Sequence, residues 1–488
     1  MSVKGYYIKD FGGIDQSRDP GRISEENSPD ACNMDTTDGN LAVGKGFVKH
    51  MTEPVPGAGP IRRLYIWRGL VSYRYVVVAG NTVYGYNDFD KTPAWRAIYT
   101  YEEIENDPFY GTRWDFLETK IGDVDYLIIA NGERQLIKWD GESEKAELFG
   151  SAEKASNLPV NYLAMHYSRL FSAGDPEHPS RLYWSCPPGT NSADNVRTIE
   201  DWSRDDASEN TSGGHVEVGN TSNEPITGIC ALSNQLIIFK RNSIYRLLGD
   251  RPSNYRIYQV YAETEEMSDE SITLYGDIPF WLTKNGLYYF DGQTAQRMVN
   301  AQNVREILKA AKIQFAKGAK NDDKLFFTIR QNDADTENAM IIYDVPNRTY
   351  MLRNGFTVAD IFATGGTLYL INEKRYIYRW GEGDTYDGDL IEAYWNTPLT
   401  DLDSKFTIKT IRELYFRGEG DIILIDAKVG KNIKEYRYLM PEEIEDVQEV
   451  PLKNEGRVFS FKFHNEQGSR FVIKGGVQLR YEVENRTT

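Results

Sequence analysis

Short apolar segments separated by polar turns recur along most of this chain. A clear copy of the unit lies in residues 226–261, where the apolar segments read ITGICAL, QLIIFKRN, SIYRLLGD and YRIYQVY. Another copy follows directly in residues 271–300, from SITLYGD to AQRMVN. Asn, Asp and Gly occupy the turns, where they supply positive φ angles or side-chain hydrogen bonds to the turn backbone. Each copy therefore predicts a four-stranded antiparallel sheet.

The same unit can be followed across residues 59–397. The segments that predict the second strand of each unit begin near Tyr75, Tyr126, Leu170, Leu236, Phe280, Leu325 and Leu368. Most of these starts lie about 44 residues apart, which matches the length of a four-stranded propeller blade. We therefore predict an all-β fold with a β-propeller of about seven blades. Two β-sandwiches would also give short strands and turns, but the near-constant spacing favours the propeller.

Two of the predicted blades are irregular. In the third, a polar stretch rich in Asn, Ser, Asp and Gly occupies residues 175–224, and it predicts a long loop at the blade edge. The fourth strand of that blade would then be the late segment HVEVG (residues 215–219). In the seventh blade, the candidate for the fourth strand is LIEAYWNT (residues 390–397).

One segment has helical periodicity. In residues 303–314 the apolar side chains recur at i, i+3, i+4 and i+7, and the series begins at Val304. Asn303 followed by Glu306 has the spacing of a capping box, so the pattern predicts a helix that starts at Asn303. We expect the apolar stripe to pack on a blade edge, and a docking helix for another subunit is the alternative.

The two ends of the chain differ from the repeated region. Residues 1–58 have no sustained period, and they predict an extended N-terminal arm with irregular apolar anchors at Phe11, Ile14 and Ile23. These anchors are candidate subunit contacts, because a short arm lacks a core of its own. Residues 398–488 alternate apolar and polar positions over longer strands, which predicts a C-terminal antiparallel β-sandwich. We expect deletion of residues 2–50 to leave a folded propeller that assembles poorly.

The amino-acid composition disfavours several functional classes of protein. The 488 residues carry 56 Lys and Arg against 73 Asp and Glu, a net charge of −17. Such a charge disfavours a protein that grips nucleic acid or anionic membranes. Three cysteines without CxxC spacing indicate a reducing compartment. No signal peptide and no membrane-length apolar segment are evident, so we expect no membrane insertion.

The sequence contains no recognisable catalytic, cofactor-binding or metal-binding motif. The five histidines lack metal-site spacing, and no nucleophile elbow, P-loop or dinucleotide fingerprint is present. The DTYDGD segment (residues 384–389) is better explained as a turn between strands than as a calcium loop. We therefore predict no catalytic residues, no cofactor and no metal. A propeller glycosidase or polysaccharide-degrading enzyme remains the alternative, because 73 acidic residues offer many candidate carboxylate pairs.

Acidic residues concentrate in two runs, AETEEMSDE (residues 262–270) and PEEIEDVQE (residues 441–449). Solvated loops are the simplest explanation. The alternative is an electronegative wall formed by several copies, along which DNA would slide because its phosphates are repelled. The candidate residues for such a surface are Glu263, Glu265, Glu266, Glu442, Glu443 and Glu445.

The linear order of several segments resembles the tail nozzle, or packaged-DNA stabilisation, proteins of short-tailed bacteriophages. The N-terminal segments are FGGI (residues 11–14), ISEENSPDACNMD (residues 23–35) and DGNLAVGKGF (residues 38–47). The others, in chain order, are SRLFSAGD, PSRLYWS, ITGICALSNQLIIFKRNSIYRLLGD, NGLYYFDG and SRFVIKGGVQLRYEV, the last ending at Val483. Together they span most of the chain.

This resemblance implies a structural virion protein that is made in the host bacterial cytoplasm and acts without catalysis. Proteins of that family look like six-fold rings below the portal and its adaptor, with packaged DNA retained above and ejected through the centre. The expected partners are therefore further copies of the chain, portal-adaptor and other tail proteins, and passing DNA without sequence-specific binding. A host-surface or glycan-binding module is a further alternative, suggested by the Tyr- and Trp-rich strands.

Overall fold

The structure, a computed structural model, describes residues 2–68, 72–102, 113–132, 135–150, 158–189, 191–192, 195–202, 209–219, 224–262, 267–444 and 446–483. The chain divides into two compact units, each assembled from separate stretches of sequence. The first comprises residues 1–50, 298–358 and 378–488, and the second comprises residues 51–297 and 359–377. These divisions do not follow the predicted boundaries at residues 58 and 397. Strands are numbered below in chain order.

The second unit contains five consecutive four-stranded antiparallel sheets, each a propeller blade. In the first two blades the strands are β6 (Ile61–Arg68), β7 (Tyr73–Ala79), β8 (Thr82–Asn87), β9 (Arg96–Thr100), β10 (Asp115–Ile121), β11 (Val124–Ala130), β12 (Ile137–Trp139) and β13 (Glu147–Leu148). The third blade contains β14 (Tyr162–His166), β15 (Arg169–Ala173), β16 (Arg181–Trp184) and, after the polar loop, β19 (Gly214–Glu217). A separate hairpin in that loop pairs β17 (Asn191–Ser192) with β18 (Asn195–Val196).

The fourth and fifth blades have the same order of strands. They are β20 (Ile226–Ala231), β21 (Gln235–Lys240), β22 (Ser243–Leu248), β23 (Arg256–Ala262), β24 (Thr273–Tyr275), β25 (Ile278–Thr283), β26 (Gly286–Phe290) and β27 (Ala295–Arg297). The unit also contains the antiparallel hairpin of β32 (Asp360–Thr364) and β33 (Thr367–Ile371).

The second strands of the first four blades are apolar on both faces because each is buried between two core clusters. In β21 the alternate residues Leu236 and Ile238 join a core cluster with the third blade, while Ile237 and Phe239 join one with the fifth blade. The same division holds in β11, where Leu127 faces the first blade. Since successive side chains of a strand point to opposite faces, an unbroken apolar segment is what a blade between two others requires.

The core continues from the first blade to the β32–β33 hairpin. Tyr75 and Val77 of β7 pack with Tyr369 and Ile371 of β33 in one buried cluster. The hairpin therefore packs on the first blade in the way that consecutive blades pack on one another. This repeated packing confirms the predicted all-β propeller fold, and all seven predicted second strands are strands in the structure.

A further four-stranded antiparallel sheet lies in the first unit. Its strands are β28 (Gly318–Asn321), β29 (Lys324–Ile329), β30 (Glu337–Asp344) and β31 (Thr349–Val358). This sheet is the predicted sixth blade. The predicted fourth strand of the seventh blade is elsewhere: β37 (Tyr394–Asn396) pairs with arm strand β2 (Ala31–Cys32) and with β42 (Phe459–Asn465).

Two long antiparallel sheets form the C-terminal sandwich. One contains β3 (Met34–Asp35), β4 (Leu41–Val43), β43 (Phe471–Val483), β38 (Lys409–Gly420) and β41 (Gln448–Gly456), with β1 (Ser2–Ile8) also paired to β43. The other has the order β2, β37, β42, β39 (Ile422–Val429) and β40 (Asn432–Leu439). The alternating burial along β42 and β41 is that of strands with one face in a core.

The N-terminal arm supplies strands to both of these sheets. Strand β1 pairs with β43 from Ser2↔Val483 to Ile8↔Val477. A fifth arm strand, β5 (Phe47–Lys49), pairs with β34 (Ile377–Trp380) through Tyr378–Trp380, beside the hairpin of β35 (Thr385–Tyr386) and β36 (Asp389–Leu390). Local sequence pattern misses β1 and β5 because their partners lie more than 300 residues away.

The helix is shorter than predicted. It comprises α1 (Arg305–Ala310), preceded by a 3₁₀ turn at Ala301–Val304, and its N-cap residue is Val304 without a side-chain cap. The arm supplies the missing cap, since the backbone N–H of Ile307 donates to Oε1 of Gln16 at 3.2 Å. Val304 and Leu308 are buried, as the apolar stripe predicted. Within the described residues, the structure contains no helix long and apolar enough to cross a membrane.

Candidate functional site

Charged side chains from the starts of several blades meet in the second unit. Strand β6 contributes Arg63, Asp115 begins β10, and Asp360 begins β32. A 3₁₀ turn before β24 contributes Asp269 and Glu270. This inner-strand cluster is completed by Arg113, two residues before β10 begins, and Tyr162, the first residue of β14.

Two guanidinium groups hold the inner-strand cluster together. Arg63 Nη1 lies 3.3 Å from Asp360 Oδ1 and 3.9 Å from Glu270 Oε1. Arg113 Nη1 lies 3.2 Å from Asp269 Oδ2 and 3.3 Å from Glu270 Oε1. Burial disfavours the charged form of Arg113, but these two carboxylates outweigh it and raise the pKa of the guanidinium above its usual value. The cluster therefore contains charged, mutually paired groups.

The aspartates also join one blade to the next through the backbone. Asp115 Oδ2 accepts the N–H of Leu163 on β14 at 2.8 Å, and Asp360 Oδ2 accepts the N–H of Leu64 on β6 at 2.6 Å. Burial raises the pKa of Asp115, against the opposing effects of Arg113 and the Leu163 N–H. Each of these two aspartates has a charged or backbone partner, so the cluster braces neighbouring blades.

A large cavity of about 1060 Å³ lies beside the third and fourth blades. Its lining combines aromatic side chains with polar groups, and the main lining residues are Tyr183, Trp184, Trp202, Glu209, His215, Glu217, Tyr245, Tyr255 and Gln259. Trp184 and Tyr255 meet edge to face with ring centroids 5.3 Å apart. We call this space the aromatic cavity.

The predicted polar loop forms one wall of the aromatic cavity and is held by a buried arginine. The guanidinium of Arg169, 2% exposed, donates to the carbonyl oxygens of Ser185 at 2.6 Å and Ser212 at 2.8 Å. Its second Nη donates to the carbonyl of Asn210. Three backbone acceptors on one planar cation fix the two ends of the loop against the blade.

Several donors beside the aromatic cavity have no hydrogen-bond partner in the part of the chain that the structure describes. Nε1 of Trp184, Nε1 of Trp202 and the hydroxyl of Tyr255 are buried without a hydrogen bond among the described residues. Burial raises the pKa of Tyr255 to about 12, with Arg169 acting in the opposite direction. At Glu217 the carboxylate pairs with Arg181 at 2.7 Å. Flat aromatic surfaces next to free donors and carboxylates suit a polar ligand with apolar faces.

The predicted arm anchors differ in burial. Phe11 is 1% exposed and meets Trp395 and Phe463 edge to face, at centroid distances of 5.0 and 5.9 Å. Ile14 is 2% exposed, and its N–H donates to the carbonyl of Tyr350 at 2.8 Å. Both side chains are therefore covered by their own chain, whereas Ile23 is half-buried. Contact of these anchors with another subunit stays a prediction.

The predicted acidic surface is only partly described. Glu442 and Glu443 are exposed between β40 and β41. Glu263, Glu265, Glu266 and Glu445 lie outside the described residues. The structure brings Asp269 and Glu270, at the end of the same acidic run, into the inner-strand cluster.

Sequence reasoning missed the inner-strand cluster and the aromatic cavity. A weak signal for the cluster was present, because WDF (residues 114–116) and ADIF (residues 359–362) both place an Asp at the start of a first strand. The cavity has no comparable signal, since its lining comes from strands and loops of two blades. The DTYDGD segment is a hairpin, as predicted, with a turn at Asp387 and Gly388, both at positive φ.

The blades and the sandwich define the chain as a β-propeller protein. No family model matches the chain. No curated protein matches it either. Solved structures similar to it include BamB from Moraxella catarrhalis, at 10% identity over 69% of this chain and 98% of that chain, with a TM-score of 0.38. The Neurospora crassa Pan2 WD40 domain is 10% identical over 70% of this chain and 95% of that chain, with a TM-score of 0.40. Such similarity says nothing about what the chain binds.

Proposed function

We propose that this chain is a structural protein of a phage tail that acts without catalysis. In this proposal several copies, six by family resemblance, form a nozzle or hub ring that docks below the portal-adaptor complex. The ring retains packaged DNA and forms part of the channel through which DNA leaves. The basis is the ordered resemblance described above.

One structural observation carries the proposal: segments that resemble the nozzle family at opposite ends of the chain are neighbouring strands. In DGNLAVGKGF, Leu41 pairs with Ile473 of the C-terminal segment, and Ala42 pairs with Val472. Likewise, ISEENSPDACNMD contains β3, which pairs with β4 of DGNLAVGKGF in the same sheet. The resembling segments from both ends of the chain are therefore paired in one sheet. Such pairing suits a protein with a structural role.

The negative charge of the chain supports the proposal that DNA leaves through the ring. The net charge of −17 and exposed acidic residues such as Glu442 and Glu443 would repel DNA phosphates. A channel wall of the same sign as its cargo lets DNA pass without trapping it.

Assembly with the cognate portal-adaptor complex tests the proposal. Cryo-EM of the full-length chain mixed with that complex should give a ring. We expect Ile23→Asp to reduce ring formation, while the matched control Val299→Asp, at a fully exposed position, leaves it unchanged. A chain that stays monomeric and ignores the portal-adaptor complex, or that hydrolyses oligosaccharides, would refute the proposal.

The aromatic cavity favours one second candidate function, binding of a glycan on the host surface. Sugar rings have apolar faces that stack on aromatic side chains, and their hydroxyls accept and donate hydrogen bonds. The unpartnered indole N–H groups of Trp184 and Trp202 are suitable donors.

An oligosaccharide panel titrated into the full-length chain tests this second candidate. Tyr245→Ala, in the cavity lining, should weaken a bound oligosaccharide about 10-fold, since loss of one stacking contact costs about 1.4 kcal/mol. Tyr258→Ala is the matched control, because this exposed tyrosine is on the same blade outside the lining. Equal loss in both variants, or no binding to the wild-type chain, would exclude the glycan site.

A further inference from the structure

We propose that the C-terminal sandwich contains a divalent-metal site, suited to Zn²⁺, formed by Asp426, Glu435 and His464. One ligand atom from each residue lies within 4.8 Å of the other two. The proposal is independent of the tail function and rests on the geometry and partners of these three side chains.

The three residues lie on neighbouring strands of one sheet. Asp426 of β39 is directly opposite Glu435 of β40 and, on the other side, opposite Lys462 of β42. His464 follows Lys462 by two positions, so it is on the same face as Asp426 and diagonal to it. His464 Nε2 lies 3.4 Å from Asp426 Oδ1 and 4.0 Å from Glu435 Oε2.

The two carboxylates of this cluster lie next to His464 and have no Lys or Arg nitrogen within 4.0 Å in the part of the chain that the structure describes. The nearby Arg437 is engaged by Glu466, with Nη2 2.9 Å from Oε2. Lys462 lies over the ring of Tyr394, at 4.7 Å from its centroid. With a neutral His464 beside them the two facing carboxylates repel each other, and a bound metal would remove that repulsion.

The imidazole provides an independent indication. Nε2 of His464 faces both carboxylates, yet it is buried and has no hydrogen-bond partner among the described residues. A buried nitrogen without a partner is costly. Metal coordination would use its lone pair, which a neutral imidazole offers to zinc and similar ions.

The ligand set and the spacing indicate the kind of metal. One nitrogen and two carboxylate oxygens suit Zn²⁺, whereas Ca²⁺ prefers oxygen ligands alone. Two ligands that each bind zinc at about 2.1 Å in a tetrahedral arrangement lie roughly 3.4 Å apart. Glu435 can move to reach that distance, because its side chain is 57% exposed on edge strand β40. The metal would then fasten β40 to the two strands beside it.

Titration of ZnCl₂ into the tag-free, full-length chain after removal of metal with EDTA tests the site. Calorimetry should give one Zn²⁺ per chain, with CaCl₂ binding much more weakly. We expect Glu435→Gln and His464→Gln each to weaken zinc binding by at least about 10- to 100-fold, the loss that follows when only a partner of a ligand is changed. His178→Gln is the matched control, because this exposed histidine is in the other unit and outside the ligand set.

Thermal unfolding with added Zn²⁺ distinguishes the loss of a zinc ligand from misfolding of a variant. Added Zn²⁺ should raise the thermal unfolding temperature of the wild-type chain and of His178→Gln, because a ligand that binds only the folded state stabilises it. It should not raise that of Glu435→Gln, whose circular dichroism should match the wild type. Unchanged zinc affinity in Glu435→Gln and His464→Gln, or no zinc binding by the wild-type chain, would overturn the proposal.

Discussion

At the scale of single residues, the main result is that a few polar side chains brace the blades. The carboxylate of Asp360 is fully buried and accepts the N–H groups of Leu64 and Ile361 while it faces Arg63. A buried carboxylate is stable only with such partners. The position is therefore structural, even though a buried acid among arginines can resemble a catalytic group.

Replacement of Asp360 by Ala should be strongly destabilising. It leaves the N–H of Leu64 without its acceptor and weakens the pairing of Arg63, so we expect a loss of about 3–5 kcal/mol in unfolding free energy. Urea denaturation followed by circular dichroism measures the change. Asp384→Ala is the control, since its exposed carboxylate pairs with Lys45 and Arg470, and each such surface pair is worth less than about 1 kcal/mol. Equal midpoints for the two variants would contradict the bracing role.

Tyr255 should make the fold sensitive to alkali. Burial raises the pKa of its phenol to about 12, above the value near 10 expected in the unfolded chain. The contribution to stability is therefore complete below pH 10 and is lost as the pH rises towards 12. At pH 7.5 the urea midpoint of Tyr255→Phe should be nearly that of the wild-type chain. Between pH 7.5 and pH 10.5 the midpoint of Tyr255→Phe should fall less than that of the wild-type chain. In the control Tyr258→Phe, at an exposed position, the fall should equal that of the wild type.

At the scale of elements, the blade strands and the arm strands differ in how far along the chain their pairing partners lie. Most blade strands are fixed by nearby sequence, because their partners follow within a few residues. The apolar run of a second strand such as β21 also fills two cores. An arm strand is fixed by distant sequence. The part of the arm between its strands also depends on distant sequence, because a Cβ atom at Gly13 would lie 2.5 Å from the carbonyl oxygen of Tyr350.

Truncation within a second strand tests the blade packing. Ile237→Ala should lower the unfolding free energy by about 2–5 kcal/mol, because the fully buried side chain fills the core between the fourth and fifth blades. Ile278→Ala, at the exposed start of another second strand, should cost much less. Thermal unfolding of both variants gives the comparison. A similar cost at the two positions would argue against a core on both faces of β21.

At the scale of the whole molecule, the two ends of the chain build one unit together. Phe11 lies against Trp395 and Phe463 of the C-terminal region, and β1 pairs with β43. Deletion of residues 2–50 would therefore remove strands from both sandwich sheets. We now expect that deletion to unfold the first unit, a larger effect than the sequence pattern suggested.

Phe11→Ala tests the same contact with a smaller change. Loss of this buried ring should cost about 3–5 kcal/mol in unfolding free energy. Val3→Ala, on the exposed face of β1, should change the unfolding free energy little. Urea unfolding followed by tryptophan fluorescence is suited to the measurement, since Trp395 is in contact with Phe11. If Phe11→Ala is as stable as Val3→Ala, the arm adds little to the sandwich.

The sequence by itself determined the second strands of the blades, the late fourth strand after the polar loop and the long strands of the sandwich. These features follow from local periodicity, because hydrophobic alternation and turn residues act over a few positions. The tertiary structure alone decided the partners of the arm, the place of β37 and the short length of the helix. It also brought Asp426, Glu435 and His464 together from three strands. Asp426 and Glu435 face each other across one hairpin, but His464 and the partners of the arm come from strands further along the chain. The register between such strands is not specified by any local pattern of residues.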